Sequence, residues 1–236
     1  MTLALAASAL AVLGLLLLAM AGPAYRVGLL SLANAMVVLQ WAAYAGLAVM
    51  AMGAVAALLA FRRRKVLRFL VAAAALAGGV TAFTIPFEWQ RRADRSPPIH
   101  DISTDLENPP TFEAIIPLRA DAPNSLERPP NLAAQQREGY PDIAPITVPV
   151  PLDQAFRRAL AAAQESGWEI VTADQGSGRI EATDITRWFG FTDDIVVRLT
   201  PWGAGTRIDV RSVSRERQGD AGANARRIRR YLERLE

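Results

Sequence analysis

Cysteine is absent from the 236 residues and histidine occurs once, at His100. Without thiols the chain can form no disulfide framework, thiol nucleophile or cysteine-ligated iron–sulfur cluster, and one imidazole does not furnish the usual zinc sites. No cofactor and no metal site are expected. Any chemistry would rest on Asp, Glu, Ser, Thr, Arg, Tyr or that single imidazole.

Charge is also missing, but only locally. Residues 3–21 carry none, and residues 66–85 carry only Arg68, close enough to one end for its side chain to snorkel to the interface. A bilayer core takes roughly 20 apolar residues as a helix, because nothing there satisfies an open backbone. These runs and a third between Val27 and Phe61 predict a three-span transmembrane region over residues 1–87, with crossings at about 3–21, 41–61 and 66–85. Gly22-Pro23 and Pro86 are the expected helix ends. Trp41 and Tyr44 suggest an interfacial belt, which leaves residues 27–40 as a surface lead-in or the extension of a tilted helix. Small residues four apart, Ala42 with Gly46 and Gly53 with Ala57, suit close helix approach.

Arg62, Arg63, Arg64, Lys65 and Arg68 lie between the second and third spans, and clustered cations usually stay cytoplasmic. The expected topology has the amino terminus inside and residues 88–236 outside. Arg91, Arg92 and Arg95 pull the other way. A cleaved signal peptide is the rival reading of residues 1–21, since Ala19-x-Ala21 resembles a cleavage site, although a positive leading region is lacking. Of 26 Lys/Arg and 23 Asp/Glu, residues 1–95 hold 9 and 2, leaving 17 and 21 for the rest. The soluble part is therefore net acidic, which removes the main support for a nucleic-acid partner. The bilayer is the expected partner, with an envelope protein or an anionic or lipidic small molecule beside it.

Ten prolines fall between Ser96 and Pro145, a density that rules out long helices and central strands. Residues 88–145 are read as an extended strap, with Phe112, Ile115, Ile116, Leu118, Leu126 and Tyr140 available to dock. Residues 146–236 then show regular patterns. An edge strand at Ile146–Val150 precedes an amphipathic helix carrying Leu152, Phe156, Ala159, Leu160 and Ala163, with Gly167 past its end. Four strands follow, at 168–172, 179–183, 194–200 and 206–214, joined by glycine-containing turns. Alternation places Trp168, Ile170, Ile180, Ala182, Ile195, Val197, Leu199, Ile208 and Val210 on one face, and Glu169, Arg179, Glu181, Arg198, Arg207, Asp209 and Arg211 on the other. A last helix starts near Asp220, with Ala221, Asn224, Ala225, Ile228, Leu232 and Leu235 inside and Arg226, Arg227, Arg229, Arg230 and Arg234 outside. The expected fold is an α+β two-layer sandwich: an antiparallel sheet with two helices on one face.

Four segments in order, Pro98-Ile-His-Asp-Ile-Ser-Thr-Asp105, Gly190-Phe-Thr-Asp-Asp194, Arg207-Ile-Asp-Val-Arg-Ser-Val-Ser-Arg215 and Gly219-Asp-Ala-Gly-Ala-Asn-Ala-Arg-Arg-Ile-Arg229, resemble the family of domain of unknown function 1499 over about residues 96–236. The resemblance implies a bacterial-envelope or plastid setting and supplies no reaction. The segment Ser214–Gly219 is longer and poorer in glycine than the family pattern. The element order also looks like the helix-grip modules of envelope assembly lipoproteins, an analogy of fold alone.

His100, Asp101 and Ser103 hold ingredients of acid–base and nucleophilic chemistry, so a membrane-anchored hydrolase is one reading; the other is that Asp101 and Ser103 close local turns while His100 anchors the strap. Asp193 and Asp194 could bind a cation through oxygen, or pair with Arg211 or Arg215. Arg198, Arg207, Arg211 and Arg215 share a face and suit a phosphate or carboxylate ligand, unless Asp209 and Glu181 neutralise them beneath the strap. Asn224, polar on an inner stripe, is expected to form a structural polar lock with Ser212 or a backbone group. The leading expectation is a non-catalytic periplasmic domain that binds an envelope partner or an anionic or lipidic ligand; a purely structural subunit of a membrane complex is the third possibility. The terminal arginines form a solvated face or meet anionic headgroups.

Overall fold

The computed structural model describes residues 2–217 and 219–236, which fall into two compact units. One holds the chain up to Arg91 with the loop Arg187–Gly190, and the other holds Arg92–Thr186 with Phe191–Glu236.

In the first unit, α1 (Thr2–Arg26), α2 (Leu32–Arg62) and α3 (Val66–Arg95) are each long and apolar enough to cross a membrane. Burial in α2 falls on Ala35, Leu39, Ala42, Gly46, Val49, Gly53, Ala56 and Ala60, and in α3 on Ala72, Ala75, Gly79 and Ala82. Steps of four and three keep one narrow seam facing the neighbouring helices. Small side chains in that seam bring backbones together, the main source of helix association in lipid. The tightest point is Gly46, where a Cβ would lie 2.7 Å from both the Gly79 carbonyl oxygen and the Phe83 amide nitrogen.

The helices differ from the sequence expectation at their ends. α2 begins at Leu32, so most of the lead-in is an extension of the spanning helix. α1 runs through Pro23 to Arg26, and α3 through Pro86 to Arg95. A proline deletes one helical amide donor, and a neighbour can replace it. At Pro23 the carbonyl left over is that of Ala19, and the Trp188 indole N–H donates to it at 3.2 Å. Trp188 is itself held edge-on against Trp89 and Phe189, at ring separations of 5.8 and 5.2 Å.

The second unit contains β1 (Asp101–Ser103), a short 3₁₀ turn (Ile116–Arg119), α4 (Leu132–Gly139), β2 (Ile146–Val148), α5 (Leu152–Glu165), β3 (Glu169–Asp174), β4 (Arg179–Ile185), β5 (Thr192–Trp202), β6 (Gly205–Ser214) and α6 (Ala223–Leu232). All pairings are antiparallel, in the order β1-β6-β5-β4-β3, and β2 lies beside β1 along the same outer edge of β6. β1 comes from the strap, which therefore completes the sheet as well as covering it. At the gap between β1 and β2, the amide of Thr104 donates to the Val210 carbonyl and its hydroxyl accepts from the Val210 amide, both at 2.9 Å. The free side of β1 is closed by one side chain: fully buried Gln136 of α4 accepts from the Ser103 amide at 3.0 Å and donates to the Ser103 carbonyl at 2.6 Å. A sheet edge needs such cover.

The expected core face is present. Trp168, Ile180, Ala182, Ile195, Val197, Leu199, Ile208 and Val210 pack with Phe156, Ala159 and Ala163 of α5 and Ala225, Ile228, Tyr231 and Leu232 of α6. A smaller apolar cluster sits on the opposite face, where Phe112 and Ile115 of the strap meet Val196 and Val213. Ile116 and Leu118, expected to dock, are instead more than half exposed, because the 3₁₀ turn rotates them outward while Ile115 points in.

Gly46→Leu should lower the resistance of the full chain to unfolding in mixed detergent micelles, because its side chain meets backbone that cannot recede. Leu47→Phe, on a position 53% exposed, should leave it unchanged; equal resistance in both variants would mean that this seam does not hold the helices together.

Candidate functional site

Most of the residues singled out by sequence converge on the strap face of the sheet, while Asp193, Ser212 and Asn224 lie on the side of α6. Alternation along β6 places Arg207, Asp209, Arg211 and, just beyond its end, Arg215 on that side, with Arg198 and Asp194 beside them on β5 and Arg179 and Glu181 on β4. Each of these groups reaches across to the strap or to a neighbour.

Arg211 is the centre. Its Nε and Nη2 fork onto the two carboxylate oxygens of Asp101 at 3.0 and 2.8 Å, and both side chains are about 5% exposed. Its remaining donors reach the carbonyls of Pro110 at 3.2 Å and Leu126 at 2.7 Å, and the guanidinium lies 5.4 Å from the Phe112 ring centre. One side chain therefore holds three separate points of the strap. Arg128 adds a second cation to Asp101 at 2.6 Å, and burial lowers the Arg128 pKa.

Two further knots repeat the pattern. Arg198 and Arg207 share Asp209 and Asp105, with contacts between 2.9 and 3.2 Å, and Arg198 also donates to the Asn108 carbonyl at 2.9 Å. Asp105 also accepts from the amides of Glu107 and Asn108, closing the turn after β1. On the other side Arg215 forks onto Asp194 at 2.9 and 2.7 Å and donates to the Leu118 carbonyl at 2.8 Å. Arg119 of the strap donates to the same Asp194, and to the Asn124 carbonyl at 2.8 Å. Glu181, fully buried, accepts from the Glu113 and Ile115 amides at 2.8 and 2.9 Å and so fixes the turn that inserts Ile115.

Adjacent Asp193 and Asp194 point to opposite faces. Asp193 looks toward α6, where Arg227 and Arg217 contact it at 2.6 and 3.1 Å. Burial alone would raise the Asp193 pKa, but the two guanidiniums outweigh it and hold the carboxyl below its ordinary value. Arg227, expected on the outside of α6, is instead folded inward with 9% of its side chain exposed, and it also forks onto Asp184 at 2.9 and 2.7 Å. Buried Asp193 and half-buried Asp184 supply the attraction that the periodicity could not register. Beside it, the Ser212 hydroxyl donates to the Asn224 side-chain oxygen at 2.7 Å, and the Asn224 amide reaches the His100 carbonyl at 3.0 Å.

Asp220 caps α6 from two residues before the Gly222 N-cap: its carboxylate accepts from the Gly222 amide at 2.7 Å and from the Asn224 amide at 2.5 Å. Burial raises its pKa, the reverse of Asp193.

The residues of the proposed acid–base group all make contacts within the domain. The Ser103 side chain lies in a fully buried residue and donates to the Asp105 carbonyl at 2.8 Å, and Asp101 faces two arginines. The His100 carbonyl accepts from the Ser214 amide at 2.9 Å, which continues the β1 ladder. Sequence reasoning passed over Arg119, Asn124, Arg128 and Gln136. Arg119, Asn124 and Arg128 lie in the irregular part of the strap and Gln136 on its short helix α4, where no periodicity long enough to mark an inward side exists.

A predominantly apolar helical region followed by an arginine-tied α+β domain defines a membrane-anchored class of protein. The family model described as a protein of unknown function, DUF1499, matches residues 101–235, and the chain belongs to that family. No curated protein matches the chain, and no solved structure does.

Asp101→Ala leaves the Arg211 guanidinium buried without its carboxylate, which should cost about 3–5 kcal/mol in denaturant unfolding of the soluble domain. A loss under about 1 kcal/mol, the value of an exposed pair, would contradict the clamp. The Asp193 contribution follows the rule for a lowered folded pKa: it is full above the ordinary carboxyl range and disappears as pH falls through the lower native value. Asp193→Asn should therefore destabilise the protein clearly at pH near 7 and much less at pH near 3, as read by thermal unfolding at both.

Proposed function

We propose that this chain is a membrane-anchored, non-catalytic binding module. It displays its α+β domain on the periplasmic side of a bacterial inner membrane, where the domain engages an envelope protein or an anionic or lipidic ligand. The observation that carries this reading is the use made of the reactive groups. Asp101, Ser103 and the arginines of β5 and β6 grip the protein's own strap, so the sheet face that resembles a ligand platform holds a segment of the same chain. Such a face gives a rigid body for recognition rather than a site for turnover. An incoming anion would reach Arg198, Arg207, Arg211 and Arg215, or the Asp193–Asp194 pair, only as the strap lifts. The basic segment Arg62–Lys65 between α2 and α3 supports the orientation.

The absence of native cysteine makes the topology directly measurable. Single cysteines at Glu138 and at Lys65, in an otherwise unchanged chain, are exposed to a membrane-impermeant maleimide before and after cell lysis. Glu138→Cys should label in intact cells whose outer membrane has been permeabilised, and Lys65→Cys only after lysis. The reverse pattern would place the domain in the cytoplasm and remove the envelope reading. The non-catalytic part is tested with a fluorophosphonate probe on the full chain in detergent. No labelling is expected; labelling lost in His100→Ala would establish the hydrolase instead.

A further inference from the structure

The helix face of the domain carries a second group of arginines that the strap does not use. The carboxy-terminal turn of α5, the start of β3, the end of β4 and the outer side of α6 enclose a cleft of about 190 Å³, lined by Ser166, Trp168, Asp184, Arg226, Arg227, Arg230 and Arg234 among others. Four guanidiniums line it with one carboxylate, Asp184, whose Oδ2 already accepts two hydrogen bonds from Arg227; Arg227 is also paired with Asp193, which leaves Arg226, Arg230 and Arg234 in excess. Arg226 has given one nitrogen to the Ala221 carbonyl, at 2.8 Å, and Arg230 makes no hydrogen bond or ion pair among the described residues. Arg234 reaches only a weak, exposed contact with Glu165 at 3.5 Å.

Like charges four apart on one helix repel, as Arg226 and Arg230 of α6 do, and Arg234 follows in the turn just past the helix end. Burial lowers the Arg226 pKa, and Arg92 and Arg230 add to that effect against the pull of Asp220. The cleft is thus a place where cationic charge is gathered, partly dehydrated and left without enough acid. Its floor is rigid, because Trp168 stacks on Tyr231 at 4.7 Å and the Tyr231 hydroxyl is tied to the Ala159 carbonyl at 2.9 Å. Trp168 gives apolar surface and an indole N–H that takes no partner among the described residues.

We infer that this cleft binds a phosphate group, either a free phosphate ester or the headgroup of an anionic phospholipid. The inference rests on the binding reading above and gives it a ligand class and a place, away from the strap face. A phosphate group carries more acceptor oxygens and more charge than a carboxylate, so it can satisfy several guanidinium forks at once. Arg226 and Arg230 are the principal donors, the Trp168 N–H is a further one, and the cleft volume leaves room for the alcohol of an ester.

The test uses the full chain. In neutral maltoside detergent, glycerol phosphate is titrated against the protein and followed by phosphorus NMR line width. In parallel, the chain is placed in phosphatidylcholine discs with and without phosphatidylglycerol, and its thermal midpoint is read. A saturable effect is expected in at least one arm, weakened about tenfold or more in Arg226→Gln/Arg230→Gln and in the same direction by Arg230→Gln alone. Arg230 is exposed and unpaired, so the single variant keeps the fold. Arg157→Gln, at an exposed pair with Asp153, should bind as the natural chain does. Binding of glycerol phosphate identifies a free ester as a ligand; an effect confined to phosphatidylglycerol discs identifies the headgroup. No effect in either arm, or an equal effect in the variants, overturns the site. The NMR spectrum separates the two readings: release of inorganic phosphate would defeat the non-catalytic function while leaving the cleft in place, and an intact ester with no effect in either arm would defeat the cleft alone.

Discussion

A guanidinium taken out of water is costly unless most of its donors find acceptors, and the structure of the soluble unit follows from how Arg211 meets that demand. The fork onto Asp101 uses two donor directions, and the carbonyls of Pro110 and Leu126 take further hydrogen bonds. A proline-rich segment cannot supply a continuous ladder of its own, but it has carbonyls in plenty. Arginine is the side chain that reads them, since its five donors spread in a plane. The strap thus gains its order from β5 and β6. Buried pairs of this kind add little stability over a well-packed apolar replacement. Their effect here is to select one path: Arg198, Arg207, Arg211 and Arg215 each accept only the strap course that brings its own acid or carbonyl within reach.

The same demand explains why both faces of one sheet differ. The face toward α5 and α6 is mostly aliphatic and is closed by ordinary burial. Opposite it lies a small apolar patch, Phe112 and Ile115 on Val196 and Val213, surrounded by ion pairs. Moving β5 by one residue would exchange Asp193 with Asp194 and strand both acids, so the polar contacts enforce the register that hydrophobic alternation alone sets. Charge follows the same division. The strap face is occupied from within the chain, and the arginines left with surplus charge lie on α6.

Much of this was legible in the sequence because it is periodic. Three apolar runs with a single charge, Arg68, among them marked the spans, period two marked the faces of β3 to β6, and the Arg/Asp alternation on one face pointed to the lattice. What was not legible depended on single contacts across long separations. Pro23 and Pro86 read as helix stops, yet the chain continues through both, in one case with the Trp188 indole serving the orphaned Ala19 carbonyl from 169 positions away. β1 has three residues, too few to show a pattern, and Gln136 closes its edge from an eight-residue helix. Arg227 sits at an outward position by helical spacing and turns inward because Asp184 and Asp193 attract it. Of the candidate site, the sheet residues were found by alternation, while Arg119, Asn124 and Arg128 of the strap carried no such signal.

The central claim is that the strap is an integral part of the folded domain, held by Arg211 and Asp101. Native-state hydrogen exchange on the full chain in detergent tests it most directly. The account predicts that the amides of Ser103, Thr104, Glu113 and Ile115 exchange in the same slow class as those of β6, since they open only when the sheet opens. Fast exchange at these four positions while β6 remains protected would show a strap that lies loosely over an independently stable sheet, and would contradict the account.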